Sequence, residues 1–251
     1  MNLRNKKILV TGGTGFIGAN LIRRLISLDA SIDNFDLANG QNIENEKQLA
    51  VCVRRKYNII FHLAGFSGPS ESNENRLKSF RVNTLATVNL CELIVGHSPK
   101  TKLIISSSRL EYGKAKYLPV DENHPVEPTS AYGLSKLTAT QTALIFHRIS
   151  NLDVTIFRTS NVYGPHKQSK FAGYNVINHF VDQAKMGKTL TIFGDGSQKR
   201  DYLFIDDFVN AFIQAATQPV SSGQIYNLGA GVGIKFKEMI NLIVKRVGSG
   251  Q

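Results

Sequence analysis

An α/β fold built on a doubly wound parallel (Rossmann-type) sheet is predicted for this 251-residue chain. Three observations predict it. A short apolar run at 7–10 feeds a glycine cluster and then an amphipathic helical pattern. Across the first 160 residues, apolar runs of strand length alternate with helical patterns. The runs Ile59-Ile60-Phe61 and Leu103-Ile104-Ile105 have no polar face, as strands covered on both sides require.

The strand expected at 7–10 runs into Thr11-Gly12-Gly13-Thr14-Gly15-Phe16-Ile17-Gly18. Glycine lets a backbone turn sharply and approach a ligand closely. The free N–H groups of a helix starting there, at 16–27, would face an anion with the helix dipole behind them. Gly13-x-Gly15-x-x-Gly18 fits a dinucleotide fingerprint, and Gly12 widens it to Gly-x-x-Gly-x-x-Gly. A glycine pattern alone also fits a plain turn; the strand before it and the helix after it favour the pyrophosphate. A second strand is expected at 32–35, although Asp33 and Asn34 are polar for a buried strand. Asp36 follows, 18 residues past Gly18. A carboxylate there can accept from both adenosine ribose hydroxyls and would repel a 2′-phosphate, which selects NAD over NADP. A solvated turn residue is the other reading of Asp36. Asn42-Ile43 reads as the remnant of a third strand.

Further on, the pattern predicts helices at 46–55, 77–95 and 132–150 and strands at 59–63, 102–106 and 154–158. Prolines break 113–129 into irregular chain, and 165–174 reads as a long loop. A helix (175–186), a strand (190–193), a Gly-rich turn, a helix (206–217), a strand (225–228) and a helix (236–246) complete the chain. Residues 1–160 read as a dinucleotide-binding domain. Residues 161–251 read as a smaller substrate-binding lobe, interleaved with the first.

Composition narrows the class. With 42% hydrophobic and 20% charged residues the chain is an ordinary soluble globular protein. No apolar run approaches the ~20 residues of a membrane span, and 8–10 is too short for a signal peptide. Cys52 and Cys91 lie within apolar helical patterns and read as buried thiols of a cytoplasmic protein. The six histidines lack metal-ligand spacing, so no metal is expected. A net charge of +11 raises the question of nucleic acid. The Lys and Arg residues are scattered without an aromatic-interleaved stripe, so a nucleic-acid partner is not expected. A positive field also suits a phosphorylated small substrate.

Tyr132-Gly133-Leu134-Ser135-Lys136 opens the helix expected at 132–150, where i and i+4 share a face. A phenol has a pKa of about 10. A neighbouring ammonium and a cationic nicotinamide ring both favour its phenolate, which could take a hydroxyl proton while hydride leaves the same carbon. Tyr112 and Lys116 repeat the spacing but lie where little helix fits, and read as loop residues. Taken alone, either pair is also an ordinary surface contact. Ser106-Ser107-Ser108 ends the strand expected at 102–106, at the same sheet edge as Gly12 and Asp36. A hydroxyl there can orient the phenol and the substrate oxygen, or cap the strand end.

These residues resemble the extended short-chain dehydrogenase/reductases that act on nucleotide sugars. The matching pieces are TGGTGFIG at 11–18, HLAG at 62–65, SSSRLEYG at 106–113, YGLSK at 132–136, NVYGP at 161–165 and GDGSQKRDY at 194–202. The resemblance implies a catalytic set of Ser108, Tyr132 and Lys136. It implies that Phe16, Ile17, Asp36, Leu63, Ala64, Gly65 and Asn83 line the cofactor, with Asn42 and Ile43 near the adenine. Asn83 could equally be a helix N-cap. Asn161, Asn175 and Arg200 would approach the nucleotide sugar; a salt bridge to Asp201 is the other reading of Arg200. Relatives run further at the C-terminus, so the substrate lobe reads as short.

The reaction expected is 4-epimerisation of a UDP-hexose. Dehydratases and decarboxylases of this family carry a Glu two residues before the Tyr of the Tyr-Gly pair, often with an Asp ahead of it in the dehydratases. Here those places hold Leu110 and Arg109, with Glu111 one residue off register. A keto-sugar reductase is disfavoured by Asp36. A cofactor-binding protein without turnover is the alternative of a different class. Homodimerisation through the helices at 77–95 and 132–150 is also possible on this reading.

Overall fold

A computed structural model describes residues 3–165 and 176–248. In chain order the elements are β1 (Lys7–Thr11), α1 (Phe16–Ile26), β2 (Ser31–Phe35), α2 (Glu46–Val53), β3 (Ile59–His62), α3 (Pro69–Glu74), α4 (Arg76–Phe80), α5 (Ala86–His97) and β4 (Lys102–Ser108). Then come α6 (Ala131–Ser150), β5 (Val154–Thr159), β6 (Asn161–Tyr163), α7 (Val176–Lys185), β7 (Lys199–Phe204), α8 (Ile205–Thr217), β8 (Gln224–Leu228), β9 (Gly233–Lys235) and α9 (Phe236–Val247).

Six parallel strands form one sheet in the order β2-β1-β3-β4-β5-β8. Chain direction across the sheet reverses between β1 and β3, which opens a crevice at their carboxyl ends, where open α/β sheets bind ligands. Helices cover both faces. Leu49, Leu90, Ile94, Ala143 and Phe146 pack on one face against Leu9, Ile60, Leu103 and Ile105. Leu21, Leu25, Phe208 and Phe212 pack on the other against Ile8, Val10, Phe61 and Ile104. This two-sided burial explains the apolar runs of β3 and β4. β2 lies at the sheet edge, which accounts for its polar residues. Asp33 accepts from the Tyr57 hydroxyl at 2.5 Å and faces Arg55 at 3.6 Å, while Asn34 braces the glycine turn.

Four expectations change. Asn42-Ile43 is not a strand. The Asn42 side chain accepts from the Glu44 N–H at 3.0 Å, making a turn, and Ile43 drops into the core. Residues 190–193 are not a strand either: Leu190 is buried but no described strand pairs with it, and Phe193 points outward. The helix expected at 77–95 is helical throughout but interrupted by a π-helical turn, Arg81–Leu85. A second sheet, β6-β7-β9, was not anticipated, because Lys199, Arg200 and Asp201 at its start are charged. Phe180, Tyr202, Met239 and Ile243 form a separate core between this sheet, α7 and α9. Cys52 and Cys91 are free, buried thiols. No helix among the described residues is long and apolar enough to cross a membrane.

Candidate active site

A cavity of about 770 Å³ opens along the carboxyl edge of the parallel sheet. At one end stands the glycine turn. Gly12 has φ +75°, and a Cβ there would meet the Ala64 backbone at 2.7 Å, so only glycine lets β1 and β3 approach so closely. Gly13 donates to Asn34 Oδ1 at 3.1 Å and is held away from the cavity wall; Gly12, Gly15, Phe16, Ile17 and Gly18 line it. No side chain caps the start of α1, and its first turn holds no acid. The positive end of its dipole therefore suits an external anion, and the residues fit a dinucleotide.

Asp36 is buried beside this turn. Its carboxylate accepts from the Thr14 N–H (3.0 Å), the Thr14 hydroxyl (2.6 Å) and the Ala38 N–H (2.9 Å). It thus ties the turn to the end of β2 while lining the cavity. Ile43 lines the cavity as expected; Asn42 faces outward and Gln41 takes its place.

Leu63, Ala64 and Gly65 continue the wall after β3. His62 explains the start of that motif. Its Nδ1 meets Thr11 Oγ1 at 2.8 Å and its Nε2 meets Thr87 Oγ1 at 3.0 Å. Thr87 already donates to the Asn83 carbonyl, so Nε2 carries the proton. Burial pushes the pKa of this imidazole down to about 3, with the Lys136 charge adding to the effect. Asn83 is no N-cap. It sits inside the π-turn, an interruption frequent at functional sites. Its amide accepts from the Phe66 N–H at 2.8 Å and donates to the Phe66 carbonyl at 3.0 Å and to Ser135 Oγ at 3.0 Å.

The other end of the cavity holds the three serines, sorted by strand alternation. Ser108 faces Tyr132, and its Oγ also accepts from the Leu110 N–H at 3.2 Å, so it caps the following turn as well. Ser107 turns to the opposite face, toward Glu111 and Thr140. The Ser106 carbonyl accepts from Lys136 Nζ at 2.6 Å. Ser130 caps α6 through the Gly133 N–H at 3.1 Å, which sets Tyr132 and Lys136 in its first turns. Burial raises the Tyr132 phenol pKa, the Ser108 hydrogen bond lowers it, Glu111 raises it and Arg109 lowers it. Lys136 is not among these influences. Burial brings the pKa of its own ammonium down to about 8, with Glu111 opposing.

Glu111 is fully buried behind the cavity. It pairs with Arg158 at 2.7 Å and accepts from Ser107 and from Thr140 (2.7 Å). Tyr112 belongs to the same cluster: its hydroxyl donates to Asn227 at 2.7 Å and accepts from Arg158 at 2.9 Å. Lys116 pairs with Glu127 on the surface.

Asn161 lines the cavity, donating to the Asp201 carbonyl at 2.9 Å. Arg200 does not line it. Its side chain is exposed and donates to the Lys199 carbonyl at 3.0 Å. Asp201 does not pair with it; that carboxylate accepts from Ser160, Ala230 and Gly231. Asn175 lies outside the described residues. Sequence reading missed Thr14 and Tyr202 as wall residues. Thr14 stood inside the quoted motif; nothing near Tyr202 signalled its role.

Residues 8–229 match the NAD dependent epimerase/dehydratase family. The chain belongs to that family. It is therefore an NAD-dependent enzyme of the epimerase/dehydratase type. It is 30% identical to a UDP-glucose 4-epimerase of Mycolicibacterium smegmatis over 262 residues, covering 97% of this chain and 83% of the relative. The fold superposes on the UDP-glucose 4-epimerase of Thermotoga maritima, solved with UDP-glucose, with a TM-score of 0.89 at 28% identity, covering 98% and 85% of the two chains. It also matches a dTDP-glucose 4,6-dehydratase of Streptomyces venezuelae, solved with NAD bound, with a TM-score of 0.87 at 26% identity, covering 97% and 81%.

Proposed function

We propose that this enzyme is a 4-epimerase of a UDP-linked hexose. The observation that carries the choice within the family is the placement of Glu111. Its carboxylate is consumed by Arg158 behind the cavity, and Leu110 and Arg109 occupy the neighbouring wall. Among the described residues the carboxylate whose charge reaches Tyr132 is that of Glu111, and its bonds to Arg158, Ser107 and Thr140 keep it from removing or delivering a proton at C5–C6. Dehydration and decarboxylation therefore lack their second acid, whereas epimerisation needs only one proton acceptor at O4.

In this reading Tyr132 takes the O4 proton, and Ser108 holds both O4 and the phenol. Lys136, held on the Ser106 carbonyl in the cavity wall, would help to hold the cofactor. NAD, when bound, would supply the hydride acceptor for oxidation at C4 and the donor for the return step. The desolvated phenol has a pKa above its ordinary value, so a charge brought in by the cofactor is what would poise it for transfer. Asn161, in the cavity wall, serves the nucleotide sugar, with residues 1–160 carrying the cofactor and 161–251 the substrate. The UDP assignment is supported by the names of the relatives. A cytoplasmic location and a homodimer belong to the same proposal. Leu134, Ile145 and Ile149 are exposed along one face of α6, and sedimentation would report a monomer if that face were merely solvated.

The test uses C4-deuterated UDP-glucose in ordinary water. The expected product is UDP-galactose that keeps its label at C4. A 4-keto-6-deoxy product with deuterium at C6 would establish a dehydratase. Consumption of external NAD(P)H in step with product would establish a reductase.

A further inference from the structure

Arg109 is a cation at the reacting end of the cavity, and among the described residues no carboxylate pairs with it. It follows Ser108 directly and lines the wall with Tyr132, Asn161 and Tyr202. Its hydrogen bond runs from Nη2 to the neutral Asn161 Oδ1, at 3.3 Å. Among the described residues it forms no ion pair. Asp201 acts on it only from a distance, with its oxygens committed to Ser160, Ala230 and Gly231. Residues 166–175 contain no Asp or Glu. Burial lowers the guanidinium's pKa, and repulsion from Arg200 adds to that. Beside it, the Tyr202 hydroxyl is buried and has no hydrogen-bond partner among the described residues, in a side chain only 7% exposed. An unanswered cation and an orphaned hydroxyl in one wall are both costly. A planar anion with two oxygens would satisfy them together, since a guanidinium forks onto a carboxylate.

We propose that Arg109, with Tyr202, recognises a carboxylate on the substrate's sugar, making a nucleotide-linked hexuronic acid the preferred substrate over a neutral hexose. The proposal rests on the 4-epimerase reading for its placement of the sugar. Ser108 and Tyr132 hold O4 in that reading, and Arg109 is close enough to Tyr132 for its charge to act on the phenol. O4 has two neighbours on the ring, O3 on C3 and C6 on C5, and of the two only C6 can carry a carboxylate. The diphosphate leaves from C1, across the ring. A cation beside Tyr132 therefore finds a counter-charge on the sugar only at C6, and a hydroxymethyl there would leave Arg109 unanswered. Oxidation at C4 places the C6 carboxylate β to a ketone. A guanidinium holding that carboxylate keeps its charge localised and opposes loss of CO2.

The experiment is calorimetry of the NAD-loaded protein with UDP-glucuronate and with UDP-glucose. UDP-glucuronate is expected to bind at least about tenfold tighter, a difference of about 1.4 kcal/mol. Arg109→Met should bring the ratio close to one, and Arg109→Lys should keep part of it, with NAD affinity reporting that each variant is folded. Equal affinities in the unmutated protein, or tighter UDP-glucose, overturn the proposal. So does an Arg109→Met variant that weakens both ligands in equal proportion, which would assign the guanidinium to the diphosphate they share. The readout needs no turnover. Selective uronate binding without a 4-epimer product would remove the epimerase reading and leave this one standing. Epimerisation of both sugars without preference would do the reverse.

Discussion

Glu111 Oε2 lies 2.7 Å from Arg158 Nε, with both side chains almost wholly removed from solvent. The pair bridges the turn after β4 to β5 and points away from the cavity that Ser108 and Tyr132 share. One residue earlier in the turn, a carboxylate would face the reacting sugar; at 111 it is a structural counter-ion. Removing one partner from a buried pair leaves the other charge uncompensated. Glu111→Gln should therefore lower unfolding stability by about 3 kcal/mol in urea titrations. It should leave the product unchanged in the deuterium experiment. A switch in reaction type on this substitution would place Glu111 in the chemistry after all.

Asp36 has a double task, which sharpens the cofactor prediction. NAD should bind at least about tenfold tighter than NADP, or about 1.4 kcal/mol, by calorimetry. Asp36→Ala should shrink that gap and also weaken NAD itself, because Thr14 and Ala38 lose their acceptor. Equal affinities in the unmutated protein would contradict the assignment.

The two Tyr-x-x-x-Lys pairs should separate cleanly on mutation. Tyr132→Phe should abolish oxidation of bound sugar nucleotide with NAD affinity nearly intact, since the phenol carries the proton and not the pyrophosphate. Tyr112→Phe should instead cost about 1 kcal/mol of stability through its bonds to Asn227 and Arg158, with turnover largely retained. The opposite pattern in single-turnover absorbance at 340 nm, the ordinary signal of reduced nicotinamide, would reverse the roles of the two tyrosines.

His62 should leave its mark on acid stability. Its folded pKa, pushed down to about 3, lies below the ordinary value of about 6.5. Between those values the unfolded chain binds the extra proton, so stability rises with pH there and is lost on acidification from about 6.5 toward 3. The slope from this one group is at most about 1.4 kcal/mol per pH unit. Thr11 and Thr87 can hydrogen-bond an amide in its place. His62→Gln should flatten that part of the profile in urea titrations between pH 4 and 7, and an unchanged slope would show that the imidazole is not held neutral.

The sequence by itself was enough for the first five parallel strands, the helices on both faces, the glycine turn and the family, whereas β8, read as part of the 161–251 lobe, completes the same sheet. These features repeat locally: apolar runs report burial on both faces, and Gly, Asp and Tyr-x-x-x-Lys stand at fixed offsets from strand ends. It also placed Tyr132, and not Tyr112, at the head of a long helix. What it could not determine depends on which chains lie next to each other. The strand expected at 190–193 has the right pattern but no partner to share a ladder with. The β6-β7-β9 sheet forms although β7 opens on charged residues, because its neighbours supply the hydrogen bonds. Asn83 reads from sequence as a cofactor neighbour or equally as a helix cap, and the π-turn around it aims its amide at Phe66 and Ser135. Glu111 and Arg109 are two residues apart in the chain, yet one is buried against Arg158 and the other lines the cavity. That division follows from the path of the turn after Ser108 and from the distant residues packed on either side of it. Only the tertiary structure brings those residues together.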